Sequence, residues 1–213
     1  MLFLPLLGAL VETAIKENDI NKLTNQFYIV LFSVLLGTVI AMFLLPTFAN
    51  FFEKLVEKLA IHKNFTVLFV KECKWKNIKK VFNLIHIPKI KNIKTYVSST
   101  LPKETLWLNP IIVAVYTVGY LASLYAGALV PECRLVASQL SSTINGIGTI
   151  LLYLFIDPIV GIISDEVMAK RRNFSDLKSL IFYLSMGRLI GVIISFPLLI
   201  PLAKFIAKIA VLF

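Results

Sequence analysis

The sequence predicts an all-α fold, a polytopic integral membrane helix bundle, and three observations carry that expectation. Of 213 residues, 58% are hydrophobic and 16% are charged, where ordinary soluble domains have about 45–50% and about 25%. Mean hydropathy is +0.83. The apolar residues gather into four long runs, and about 20 helical residues suffice to cross a hydrocarbon core about 30 Å thick. This composition argues against a water-soluble enzyme. Residues 1–213 read as one membrane domain, with about four transmembrane helices and an amphipathic interfacial helix.

The elements follow in chain order. Met1 to Val11 is apolar but short, is interrupted by Pro5 and Gly8, and has no basic stretch before it. It therefore reads as an interfacial or re-entrant piece, or as the stub of a longer protein whose earlier spans are missing, rather than as a signal peptide. Phe27 to Leu45 is uncharged and stops at Pro46, a first span. After it, Thr47 to Ile61 sets Phe48, Phe51, Phe52, Leu55, Val56 and Leu59 on one helical face, with Glu53, Lys54, Glu57 and Lys58 on the other. That pattern suits a helix lying in the membrane interface. Ile111 to Val130, introduced by Asn109-Pro110 and ended by Pro131, is the second span, and Leu135 to Ile156 is the third. Leu180 to Leu202 is the fourth, with Arg188 inside it and with Pro197 and Pro201 predicting a kink or an early end. Phe205 to Phe213 forms a short apolar tail.

Lysine and arginine fix the expected orientation. The connection 47–109 holds 12 lysines, and the connection after the third span adds Lys170, Arg171, Arg172 and Lys178. Only Lys16, Lys22, Arg134, Lys204 and Lys208 fall on the opposite side. The positive-inside rule places the lysine-rich connection in the cytoplasm, with the N-terminus, the turn at Pro131 and the C-terminus outside. The net charge of +10 is thus topological. No nucleic-acid partner is expected, because no binding motif accompanies the charge. Between Lys74 and Lys94 the lysines alternate with Trp75, Ile78, Phe82, Ile85, Ile87, Ile90 and Ile93. Such an arm either sits on anionic lipid, at about 1 kcal/mol per lysine near the surface, or is a solvated loop. His62 and His86 read as loop residues. Cys73 and Cys133 flank opposite sides of the bilayer and read as free thiols, not as a disulfide or metal site.

The polar groups inside the spans are the candidate functional residues. Ser138, Ser142, Asn145 and Thr149 form one helical stripe of the third span, a face that is costly to turn toward lipid. It either hydrogen-bonds neighbouring helices or lines a transport path. Arg188 lies about 13 Å beyond Ser179 along the last span, where insertion costs an arginine about 2.5–3.5 kcal/mol. It is structural if it pairs with Asp157, Asp165 or Glu166. It is functional if its planar fork of donors grips a phosphate. Glu132 is the carboxylate beside Arg134 and a further candidate charge partner. Gly119, Ser123 and Gly127 in the second span, and Gly187 and Gly191 around Arg188, are spaced for close helix contact. The second pair is expected to turn Arg188 toward the bundle interior. No Walker A sequence, HExxH, GxSxG or CxxC occurs, so no enzyme activity, cofactor or metal is expected.

Pro131-Glu132-Cys133-Arg134, the stretch Ala137 to Gly148 (ASQLSSTINGIG) and Asp157-Pro158 resemble the Amj family, bacterial membrane proteins that act as alternate lipid II flippases. Pro5-Leu6-Leu7-Gly8, the stretch Leu36-Gly37-Thr38 through Leu45-Pro46-Thr47-Phe48, Ser164-Asp165-Glu166 and Gly187-Arg188-Leu189 extend the resemblance over most of the chain outside the lysine-rich arm. Family members carry further hydrophobic sequence before the point that matches Pro5, so this chain is expected to be N-terminally short. The resemblance implies translocation of an undecaprenyl-pyrophosphate-linked peptidoglycan precursor across the bacterial cytoplasmic membrane. In that reading Arg188 and the stripe on the third span offer the head group a polar route, and Arg134 acts at the outer exit. Two other readings stay open: a fragment of a secondary transporter of major-facilitator type, from the segment Arg134 to Arg172, and a non-transporting structural subunit.

Overall fold

Each long apolar run is helical. The computed structural model describes residues 3–62 and 103–213, with side chains described over 5–45 and 107–213. The elements are α1 (Phe3–Glu17), α2 (Ile20–His62), α3 (Lys103–Leu129), a 3₁₀ turn (Pro131–Cys133), α4 (Arg134–Phe155), α5 (Asp157–Met168) and α6 (Phe174–Ala210). Among the described residues, four stretches are long and apolar enough to cross a membrane: Ile20–Leu45, Trp107–Leu129, Pro131–Met168 and Phe174–Ala210. No strand occurs among the described residues, so the all-α membrane bundle stands.

α3 is the axis of the bundle, with 67% of its span buried against 11% for α2. Its inward positions are small, and Ala114, Ala122, Ser123 and Ala126 are almost fully covered. In lipid, where hydrophobicity does not drive helices together, small side chains allow the close backbone approach that yields dispersion contact. α4 packs on one side of α3, where a Cβ on Gly119 would collide with Ile144 and Asn145. α6 packs on another side. A Cβ on Gly191 would lie 2.6 Å from the Pro110 carbonyl oxygen, and one on Gly187 would strike the Asn109 amide. These glycines are close contact points between helices, as their spacing predicts.

Four expectations change. From Phe3 on, the N-terminal apolar stretch is part of a longer helix, α1, whose Leu7, Val11 and Ala14 are buried in the main core. A tight corner returns the chain. Asn18 adopts φ 53°, the left-handed conformation that asparagine tolerates after a helix. The Asp19 N–H donates to the Ala14 carbonyl at 3.0 Å, and the Asp19 carboxylate caps α2 by accepting the Lys22 N–H at 3.0 Å. Second, Pro46 does not stop α2, which continues to His62 over 43 residues. At about 64 Å it outruns the hydrocarbon core. The amphipathic segment 47–61 is therefore helical but continuous with the span. Its side chains lie outside those described, as does the arm between Lys74 and Lys94. Third, Pro197 and Pro201 sit inside α6 without ending it, and the tail from Phe205 is helical to Ala210, with Ile206 and Ala210 buried. Fourth, Ile156 separates α4 from a further helix, α5, which Asp157 and Pro158 open.

The core is concentrated at one end of the bundle. There Leu23, Phe27 and Leu31 of α2 are fully buried. The Phe27 ring leans on Tyr125 at 6.2 Å, and Tyr28 stacks on Phe196 at 6.1 Å. Thr24 Oγ1 and the Tyr125 hydroxyl share a hydrogen bond of 2.8 Å. Beyond Leu31 the packing of α2 thins. Leu36, Ile40 and Phe43 are exposed, and the helix stands over α6 across a hollow.

Candidate functional site

The hollow between α2 and α6 measures about 290 Å³ and is lined by Val34, Gly37, Thr38, Ala41, Met42, Leu45, Ser185 and Arg188. The six α2 residues recur at helical spacing and form one face. Its middle is small, and a Cβ on Gly37 would meet nothing within 4 Å. The opposite wall belongs to α6, whose Gly187 faces α3 and so sets Arg188 one position round, toward α2. The expected inward orientation of Arg188 is thereby corrected: its side chain is exposed and borders the cavity instead of packing inside the bundle. It lies about 21 Å from the start of α6 and about 33 Å from its end.

The electrostatics of the cavity reduce to one group. Thr38 Oγ1 donates to the Val34 carbonyl at 2.8 Å and Ser185 Oγ to the Ile181 carbonyl at 2.8 Å. Both hydroxyl protons are spent within their own helices, as is usual for serine and threonine in apolar surroundings. The donors that remain are those of the Arg188 guanidinium, which has no ion-pair or hydrogen-bond partner among the described residues. The proposed partners are occupied or placed elsewhere. Arg172 Nε lies 3.4 Å from Glu166 and 3.5 Å from Asp176, tying the α5–α6 turn. Asp157 stands in the first turn of α5, where the helix dipole favours a carboxylate. Asp165 is exposed on α5, and neither it nor Asp157 forms an ion pair with Arg188.

The other candidates do not converge on Arg188. Ser138 Oγ donates to the Arg134 carbonyl at 2.9 Å and Thr149 Oγ1 to the Asn145 carbonyl at 2.8 Å, both within α4. Ser142 is exposed. Asn145 faces Gly119 of α3, and its buried Oδ1 lacks a hydrogen-bond partner, an arrangement that costs about 1–3 kcal/mol. None of the four lines the α2–α6 cavity. At the far end of the bundle, Arg134 pairs with Glu12 of α1 at 2.5 Å while its stem covers Gly127. Glu132 is exposed on the 3₁₀ turn. Cys133 is a free thiol, and Cys73 lies outside the described residues.

Sequence reasoning missed three features. The cavity wall on α2 was signalled by Gly37, Thr38 and Ala41, small residues on one face of a span otherwise rich in leucine and phenylalanine. Asn109 was noted only as the start of a span. It is buried, and its Nδ2 donates to the Leu184 carbonyl at 2.9 Å, clamping α3 to α6 one turn before Arg188. Glu12 carried no local sign that it would meet Arg134.

A protein of Bacillus subtilis (strain 168) named lipid II flippase Amj is 31% identical over 208 residues, which cover 95% of this chain and 76% of the relative. No solved structure matches the chain. A family model described as "Amj: Alternate to MurJ" matches residues 1–210, and the chain belongs to that family.

Proposed function

We propose that this protein is a lipid II flippase, moving the undecaprenyl-pyrophosphate-linked peptidoglycan precursor between the leaflets of the bacterial cytoplasmic membrane, and that the α2–α6 cavity carries the diphosphate. Family membership supports the activity. The observation that supports the site is an unpaired guanidinium bordering a hollow partway along a membrane-spanning helix. Such a substrate has a tail that stays in hydrocarbon and an anionic head that does not. A cation held inside the bilayer lowers the cost of the charged part of that crossing, and a guanidinium meets phosphate oxygens through paired N–H donors. Because the cavity lies between two membrane-spanning helices, the tail can stay in the bilayer while the head crosses.

The role is transport, with no bond made or broken. In this reading the lysine-rich connection faces the cytoplasm, held there by the positive-inside bias and by attraction to anionic lipid. The substrate enters from that leaflet. A purely structural subunit would hold Arg188 in a lasting pair with Asp157 or Asp165, and neither pair exists. Complementation tests the function: expression of this chain in a strain depleted of its principal lipid II flippase restores growth and rod shape. Failure of the well-inserted protein to do so, in this form and in an N-terminally extended one, contradicts the assignment.

A further inference from the structure

We infer that the α2–α6 cavity reads only the prenyl-diphosphate junction of its substrate, so that lipids with quite different heads are ligands provided they carry a polyprenyl diphosphate. This rests on the reading of the cavity as the diphosphate path. The first argument is size. About 290 Å³ falls at the lower edge of pockets that enclose drug-sized ligands, about 300–1,000 Å³. A diphosphate and its first isoprene unit fit that volume. A disaccharide bearing a peptide is several times larger and stays outside.

The second argument is chemistry. Sugars and peptides are read by amides, carboxylates and aromatic faces, and none of these is among the cavity's described lining residues. Thr38 and Ser185 have already committed their protons. What remains is one fork of cationic donors beside Val34, Met42 and Leu45, a match for an anion attached to a branched hydrocarbon.

The test measures displacement of lipid II from the full chain in lipid nanodiscs by three probes: farnesyl diphosphate, inorganic pyrophosphate and farnesol. Farnesyl diphosphate, which has no sugar, is expected to displace lipid II at a concentration within about threefold of that needed by unlabelled lipid II itself. The other two, each lacking half of the junction, are expected to be weaker by about tenfold or more. Arg188→Gln and Gly37→Leu, which remove the fork and fill the hollow, are expected to weaken lipid II and farnesyl diphosphate in parallel. If farnesyl diphosphate fails to displace lipid II that binds through Arg188, the head is being read and the inference falls, while the flippase site stands. If lipid II binds equally well to wild type and to both variants, the site itself is wrong. Displacement by pyrophosphate as strong as by farnesyl diphosphate overturns the role of the tail.

Discussion

Arg188 and Arg134 are both helical arginines, yet their surroundings differ. Arg134 has a carboxylate, Glu12, at 2.5 Å, and both side chains are nearly half exposed. An exposed pair of this kind contributes about 0–1 kcal/mol. Arg134→Glu alone is therefore expected to lower the thermal midpoint by only a few degrees, and the double exchange Arg134→Glu with Glu12→Arg to restore it. Circular dichroism melts in detergent check this. Recovery in the double variant identifies a fastening between α1 and α4, whereas loss of transport in the stable double variant places Arg134 on the path. The partner of Arg134 was not legible in the sequence, because the two charges lie 122 positions apart and nothing local marks Glu12. Arg188 was legible as a candidate for the opposite reason: a charge inside an apolar run stands out whatever its partner.

At the level of elements, glycine spacing was the most readable feature and proline the most misleading. Gly187 and Gly191 were expected at a helix contact, and they abut Asn109, Pro110 and Val113 of α3. The direction of Arg188 depends on that contact, since turning the glycine face to α3 turns its neighbour toward α2. Gly187→Ala forces the Asn109 amide from the Leu184 carbonyl. Overpacking and the lost hydrogen bond together are expected to destabilise the fold by about 1–3 kcal/mol, read as a lower unfolding midpoint in detergent. An unchanged midpoint means that α3 and α6 are not clamped there. Pro46, Pro197 and Pro201 lie within continuous helices, as membrane helices permit when neighbouring groups re-satisfy the freed carbonyls. Rules for where helices stop come mostly from water, where an unpaired carbonyl simply hydrates.

For the whole molecule, span number was legible because crossing a bilayer demands length and apolarity at once. The candidate site was only half legible. Arg188 could be singled out from α6 alone, but the cavity beside it exists only where α2, held at one end by Phe27, Tyr28 and Leu31, fails to close on α6 at the other. Orientation rests on the lysine bias and has its own test. In a Cys73→Ser variant, Cys133 on the turn before α4 is half-buried and free, so a membrane-impermeant maleimide is expected to label it in intact cells. Labelling only after permeabilisation reverses the topology.

The account turns on whether the unpaired guanidinium in the α2–α6 cavity carries the diphosphate across. The measurement that bears on this most directly is a leaflet-accessibility assay of lipid II in proteoliposomes, comparing wild type with Arg188→Gln at matched insertion. The account predicts that the variant folds normally and loses about tenfold or more of the translocation rate, as removal of about 1.4 kcal/mol or more of transition-state stabilisation requires. A correctly inserted Arg188→Gln protein that moves lipid II at the wild-type rate would contradict it.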